Sequence, residues 1–574
     1  MSEHDEQAGG WPPELAARYY ASGMWTGRTL AERFAETAGR VAERTALVEG
    51  DTRLSHAELW RCAGATAGRL ARLGLRASDR LVIQLPNRWE FVALTLACFR
   101  LGVLPVMALP AHRRYELSYL VEHVGARALV VPGVLKGFDH QAMAHEIAAH
   151  SATLEHLLVA GTDDLRPGSI ALSEVCRPAD GSEPAENTDH TEPTDSTDST
   201  DSTADPEDTA LFLLSGGTTG TPKLIPRTHN DYGCTMDHAV RACGFDAGTV
   251  YLATMPVGHN FTLGGPGVLG TLLAGGTVVL GSSPEPAVVF PLIERERVAV
   301  TAVVPAVLQR WLDHQLAGHG HDLSSLRVLQ VGGAHLPEAM AEQVAPVLGC
   351  VVQQGYGMAE GLVCITRPDD STEVLYTTQG RPVCPGDELR LVTEDGDPAP
   401  AGEAGVVLTR GPCTIRGYYR APEHNAVAFD ADGWYVTGDI ARIRPDGNLV
   451  VEGRVKDMIN RGGEKISAEE VEELAHRVDG VSLAAAVAMG DPVLGERICL
   501  YAVPRAGAEL GLAQIVASMR ALGVAAYKLP ERLVVTDALP LTAVGKIDKR
   551  ALRADLEQLL AREAEQAAAT PGRL

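Results

Sequence analysis

Short apolar runs closed by proline or glycine, each alternating with a segment of helical period, recur through most of this 574-residue chain. DRLVIQLP (79–86), ARALVVPG (126–133) and LEHLLVAG (154–161) have the look of strands buried on both faces. TLAERFAETAGRVAER (29–44) and HAELWRCAGATAGRLARLG (56–74) space their apolar residues for helices. Such alternation predicts largely parallel sheets covered by helices, because parallel neighbours need a crossover and a helix supplies it. ALFLLS, VYLATMP, GTVVLG, VAVTAVVP and LRVLQVGG continue the pattern from residue 210 to 333.

Two stretches depart from it. Residues 180–208 hold eleven acidic side chains and no Lys or Arg, with Asp-Ser-Thr repeated three times from Asp195 to Thr203. With so little to bury, this stretch predicts a disordered insertion. From about residue 385 to 454 the texture is β-rich, with hairpin turns at Glu394-Asp395-Gly396 and Pro445-Asp446-Gly447-Asn448. A compact α+β stretch follows, opened by a capping box at Ser467-Ala-Glu-Glu470. The reading is α/β: a large N-terminal domain over 1–454 and a small C-terminal domain over 455–574.

The formal charge of −24 argues against nucleic-acid or anionic-membrane binding, which need a basic face. Ten cysteines lie between Cys62 and Cys499 without a C-x-x-C pair, predicting reduced, buried thiols rather than a zinc site or a disulfide framework. MSEHDEQAGGWPPE carries neither the basic nor the apolar region of a secretory leader. The eighteen uncharged residues GGPGVLGTLLAGGTVVLG hold seven glycines and suit a buried helix turning into a strand. A cytoplasmic protein is expected.

LFLLSGGTTGTPKLIPRTH (211–229) begins as a strand and turns abruptly. Gly216, Gly217 and Gly220 let successive amides converge on an anion, Ser215, Thr218, Thr219 and Thr221 add hydroxyls, and Lys223 adds charge. Pro222 before Lys223 and Leu224 after it exclude a Walker A loop. The composition suits a triphosphate.

SGGTTGTPK resembles the signature loop of the adenylate-forming superfamily, which includes acyl-CoA synthetases, nonribosomal adenylation domains and luciferases. Further motifs follow in the family's order. QVGGAHL (330–336), with Gly332, Gly333 and Ala334, resembles the adenine-contacting turn. QQGYGMAEG (353–361) supplies Tyr356 to stack on adenine and Glu360 to hold Mg²⁺. WYVTGD carries Asp439 for the ribose hydroxyls, and GRVKDMINRGGEKIS carries Arg454 for ribose or phosphates. The resemblance makes Lys456 the interdomain hinge, Gly463 part of a pantetheine tunnel, and Lys546 in PLTAVGKIDKRAL the catalytic lysine of a mobile C-terminal domain. It implies the acyl-adenylate synthetase fold, with ATP and Mg²⁺ as cofactors.

LPVMALPAHRRYELSYLVEHV (104–124) and GHNFTLGGPG (258–267) are similar to stand-alone aryl-acid AMP ligases acting on 2,3-dihydroxybenzoate or salicylate. That resemblance implies an aromatic carboxylic acid as substrate. It sets His259 beside the reacting acid, Asn260 against the group ortho to its carboxylate, and Phe261 on its ring. Gly265 stands where relatives carry Ser or Cys, and Gly355 where they carry Val or Leu. Space freed at both positions predicts a larger acid, such as a 3-hydroxyquinaldate-like bicycle or a 4-methyl-3-hydroxyanthranilate-like ring. Alternatively, Phe261 or Leu362 swings in and an ordinary dihydroxybenzoate or salicylate is the substrate. No carrier motif follows Lys546, so the acceptor thiol is expected on a separate phosphopantetheinylated aryl carrier protein, with coenzyme A as the alternative.

Overall fold

Two large sheets carry the first four hundred residues in a computed structural model, which describes residues 10–177, 204–215, 222–318, 320–393, 395–461, 464–491, 494–521, 524, 526–542 and 545–569. The seven-stranded sheet orders Leu224–Thr228, Thr209–Leu214, Leu104–Ala108, Arg80–Gln84, Ala128–Pro132, His156–Ala160 and Ser169–Ala171. Only its first pair is antiparallel. The nine-stranded sheet runs from Arg381–Pro382 through Val351–Gly357 and Val328–Gly332 to Thr45–Glu49 and Thr52–Ser55. Its interior is parallel and its edges antiparallel, the arrangement that two helix-covered faces favour.

Helix Trp89–Leu101 touches strands of both sheets, and every residue from Glu90 to Leu101 is buried. Its sequence EFVALTLACFRL is apolar on nearly all sides, which suits a helix clamped between two layers. GGPGVLGTLLAGGTVVLG forms the anticipated helix, Gly267–Ala274, and strand, Thr277–Leu280.

Beyond the large sheets, four antiparallel strands span Glu388–Arg454. A five-stranded sheet gathers Met458–Arg461, Glu464–Ser467, Val481–Asp491, Gly495–Pro504 and Arg532–Val535. Helices Ala468–His476 and Leu512–Ala521 and the core around Ile466, Val471, Leu500 and Ile515 belong to it. Among the described residues no helix is long and apolar enough to cross a membrane.

Two local expectations need correction. Residues 180–203 of the acidic segment lie outside the described residues, but 204–208 have defined partners. Asp205 and Asp208 close a turn on each other, and Glu207 accepts from the Tyr20 hydroxyl. These acids have local partners that composition alone does not reveal. At Ser467 only half the capping box forms: the hydroxyl accepts from the Glu470 amide, while the Glu470 carboxylate pairs with Lys528 at 2.6 Å. A full charge nearby outcompetes a neutral amide for that carboxylate.

Candidate active site

The carboxyl ends of the parallel strands open on one cavity of about 460 Å³, where open α/β sheets usually bind ligands. Strand Thr209–Leu214 delivers Ser215 to its wall, and the antiparallel return through Leu224–Thr228 delivers Lys223. Ser215 closes the base of that turn, its amide donating to the Lys223 carbonyl and its hydroxyl accepting from the Lys223 amide. Gly216, Gly217, Thr218, Thr219 and Thr221 lie outside the described residues, as does Gly463.

Register assembles the next group. Strand Tyr435–Ile443 pairs with Leu449–Arg454 so that Asp439 faces Arg454. Arg454 Nε donates to Asp439 Oδ1 at 2.7 Å, and the Tyr356 hydroxyl donates to Oδ2 at 2.7 Å. Both carboxylate oxygens are thus oriented by charge or hydroxyl, on a side chain only 4 % exposed. Glu360, 8 % exposed, accepts from the Tyr418 hydroxyl at 2.7 Å, and Tyr418 in turn meets the Tyr435 hydroxyl at 2.9 Å. A buried Arg227 spans from Asp231 to the carbonyls of Ala359 and Cys413, which fixes the chain next to Glu360. Tyr418 and Arg227 escaped the sequence reading, since neither stands in a motif with the group it holds.

Lys546 enters the cavity from the C-terminal portion. Its turn is closed by the Thr542 amide donating to the Lys546 carbonyl and the Lys546 amide donating to the Thr542 hydroxyl. Gly545 has φ +81°, and a Cβ there would press to 3.2 Å on Met255 and Val304. The lysine passes so near Gly333 that a Cβ on that glycine would lie 3.0 Å from Lys546 Cε. Burial, with Arg454 next in effect, pushes the Lys546 amine down to about 8. His259 lies beside it across a small hollow also bounded by Phe261 and Gly333. Burial and then Lys546 push the His259 imidazole down to about 3, so it is neutral at physiological pH. Lys456, in the short turn Val455–Asp457, also borders the main cavity.

The other end of the cavity is plainer. His259 caps the single turn Asn260–Leu263, and Asn260, Phe261, Gly265 and Gly355 all line the wall with Met107, Val363 and Ile365. The buried Tyr232 donates its hydroxyl to Asn260 Oδ1 at 2.9 Å, leaving the amide nitrogen of Asn260 as the group able to donate. A Cβ on Gly264 would collide with that tyrosine hydroxyl, and one on Gly267, at φ +55°, with the Thr262 carbonyl. Gly265 differs: its nearest neighbour to a Cβ is the Asn260 carbonyl at 3.9 Å. At Gly355 a Cβ would make ordinary contacts of 3.5 Å and longer with Ile365 and Cys364. Both glycines therefore leave room that the fold itself does not require.

Three expectations shift. Gly332 does not border the cavity; it lies beneath Phe261, where a Cβ would stand 3.2 Å from the ring and 3.0 Å from the Gly355 carbonyl. Its small size seats the phenylalanine. Ala334 is exposed, one residue past Gly333 on the wall. Leu362, considered above as a group that swings in, is wholly buried against Cys364, Val407 and Leu449. It does not line the cavity; Ile365, its neighbour on the following strand, is the residue paired with Gly355.

A buried cation, oriented carboxylates and the base of a turn closed by Ser215 and Lys223 at one end, with an apolar slot and one amide at the other, suit a reaction joining an organic acid to a nucleotide. The chain matches the family model for AMP-binding enzymes over residues 34–419, and that for the AMP-binding enzyme C-terminal domain over 470–546. It is 52 % identical to the 2-hydroxy-7-methoxy-5-methyl-1-naphthoate–CoA ligase of Streptomyces carzinostaticus, covering 95 % of this chain and 96 % of that one. It is 51 % identical to a salicylyl-CoA synthase / salicylate adenylyltransferase of a Streptomyces species, with the same coverage. Among solved structures, apo MbtA of Mycobacterium smegmatis superposes with a TM-score of 0.72 at 39 % identity, over 96 % of this chain and 99 % of that one. The chain belongs to the AMP-binding, adenylate-forming enzymes, and within them it is an aryl-acid adenylating ligase.

Proposed function

We propose that the acid adenylated is larger than salicylate or dihydroxybenzoate, a bicyclic or further-substituted aromatic acid with a hydroxyl, amino or ring-nitrogen group ortho to its carboxylate. The observation that carries this reading is the pair Gly265 and Gly355, which line the acyl end of the cavity with open or ordinary space around their missing side chains. A void there costs packing unless a substrate fills it. The name of the 52 % identical relative, a naphthoate ligase, agrees with a two-ring acid.

In this reading the substrate carboxylate attacks the α-phosphorus of ATP and pyrophosphate leaves. Asn260, held by Tyr232, donates its amide to the ortho substituent. Phe261, seated on Gly332, packs against the ring. Lys546 meets the carboxylate and the α-phosphoryl oxygens, where negative charge accumulates; a preorganised cation in a water-poor site is most effective there. Neutral His259 adds bulk and a hydrogen-bonding nitrogen without competing for charge. Asp439 and Arg454 bind the ribose side, Tyr356 the adenine, and Ser215, Gly216, Gly217, Thr218, Thr219 and Lys223 the phosphates. Glu360 offers the hard carboxylate oxygen that Mg²⁺ requires, and the ion would neutralise phosphate charge. The portion after residue 455 then turns about Lys456, withdraws Lys546, and brings Gly463 to line the path of a pantetheine thiol.

The thiol belongs to a separate aryl carrier protein. Coenzyme A is the second reading, favoured by the printed names of both Streptomyces relatives. ATP–pyrophosphate exchange across a panel of aryl acids tests the substrate. Bicyclic acids should lead; a tenfold advantage in kcat/KM for salicylate or 2,3-dihydroxybenzoate overturns the enlarged pocket. Single-turnover transfer from labelled acyl-AMP decides the acceptor: rapid loading of coenzyme A without loading of any aryl carrier gives the second reading.

A further inference from the structure

Three of the ten buried cysteines, dispersed in sequence, meet at one point. Cys234 Sγ lies 3.4 Å from Cys413 Sγ and 3.9 Å from Cys384 Sγ, and all three sulfurs fall within 4.8 Å of one another. Around a tetrahedral zinc with bonds of about 2.3 Å, sulfur ligands stand about 3.8 Å apart. A disulfide would need one pair at about 2.0 Å and would leave the third thiol unexplained.

Other groups border the three sulfurs. His238 follows Cys234 by one turn of helix His229–Cys243, so both project from one face, and His238 faces the Cys384 thiol. The Met24 sulfur lies 3.9 Å from Cys384 Sγ. Both carboxylate oxygens of Asp387 are shut from solvent without a well-formed hydrogen bond, and they face Cys384 and Cys413.

We propose that Cys234, Cys384, Cys413 and His238 form a structural site for a soft divalent cation of the zinc class. His238 as fourth ligand keeps the buried centre at one net negative charge, whereas Asp387 would make it two; Asp387 stands outside the ligand set. Binding forms three metal–sulfur bonds and one metal–nitrogen bond, displaces water from the ion and releases three thiol protons to solvent.

The site would staple three separated segments and abut a fourth at Met24. Met24 precedes Trp25, whose indole donates to the Pro412 carbonyl. Helix His229–Cys243 also carries Tyr232, the residue holding Asn260. The Cys413 carbonyl accepts from Arg227 and abuts Gly361, next to Glu360. A cation here ties the acyl end of the cavity to its carboxylate end from behind, touching neither substrate.

The test uses the full-length protein, purified under reducing conditions without a histidine tag. Elemental analysis as isolated, and Co²⁺ titration after chelation, should each give one metal per chain, with thiolate-to-cobalt charge-transfer bands. Cys384→Ser and His238→Ala should each weaken Co²⁺ binding at least tenfold, and Cys499→Ser, in the C-terminal sheet, should leave it unchanged. Should the serine variant fail to fold, the wild-type titration decides alone. Substoichiometric metal lost on desalting overturns the proposal. So does a non-reduced protein lighter by two hydrogens with a Cys234–Cys413 crosslink, which would make the cluster a redox pair.

Discussion

The two ends of the cavity are built on opposite principles. At the end proposed for the nucleotide, Asp439, Arg454, Tyr356, Glu360 and Tyr418 form hydrogen bonds of 2.7 Å that orient the carboxylates from defined directions. At the acyl end, a single polar anchor, the Tyr232–Asn260 bond, stands in a wall otherwise shaped by what is missing at Gly265 and Gly355. A charged, cross-braced end can serve one nucleotide with little variation. An end defined by side-chain volume can be retuned by single substitutions without disturbing the chemistry.

The sharpest way to break this contrast is at Lys546. Lys546→Ala should lower pyrophosphate exchange by about a hundredfold to a thousandfold, the usual effect of losing one preorganised transition-state contact. Thiol transfer from supplied acyl-AMP should stay within a few-fold, because it needs that lysine withdrawn. Equal loss in both half-reactions would refute its assignment to adenylation alone.

Next come the glycines. Gly355→Val or Gly265→Ser should lower kcat/KM for a bicyclic acid by about ten- to two-hundredfold, the range for one or two atoms of misfit in a pocket. KM for ATP and turnover of salicylate should hold. If all acids suffer alike, the two positions are structural and the volume argument fails.

Asp439→Asn probes the braced end. It removes the charge facing Arg454, whose half-exposed side chain limits the effect. A rise of about tenfold in KM for ATP, with KM for the aryl acid unchanged, is expected. Tyr232→Phe is the mirror experiment and the smaller one. Losing one hydrogen bond is worth about 1 kcal/mol, so KM for the acid should rise about fivefold while that for ATP stays put.

The pH dependence separates binding from docking at Lys546. With its amine at about 8 in the cavity, the cation proposed to act in adenylation is present below that value. Adenylation kcat/KM should fall as pH rises through about 8, and Lys546→Arg should move that limb upward. Docking runs the other way. The free lysine, near its ordinary value of 10.5, holds more protons than the buried one between about 8 and 10.5. Insertion of the lysine therefore strengthens as pH rises through that interval. A rate and a docking equilibrium that move together with pH would contradict the shift.

The nucleotide end was largely readable because its motifs are local: strand, turn and carboxylate lie within a dozen residues of one another. Lys546 was readable for the same reason, its glycine and the closing threonine being neighbours in sequence. Of Gly264, Gly265 and Gly267 in HNFTLGGPG the resemblance sets only Gly265 apart, and the structure gives each a different cause. Gly264 makes way for Tyr232, Gly267 turns the chain, and of the three only Gly265 lines the cavity. Gly332, read with its neighbours as part of an adenine-contacting turn, seats Phe261, a relation set by strand register and packing.

What the amino-acid order determined on its own was periodicity and local turn chemistry, and hence the alternating α/β class and many of the residues that line the main cavity. What only the tertiary structure decided was every relation between distant segments: Arg227 against Ala359 and Cys413, Tyr418 on Glu360, Tyr232 on Asn260, and three dispersed cysteines at one point. Helical and strand period are properties of neighbours along the chain. Contacts across hundreds of residues depend on sheet register and side-chain packing, which no local spacing encodes.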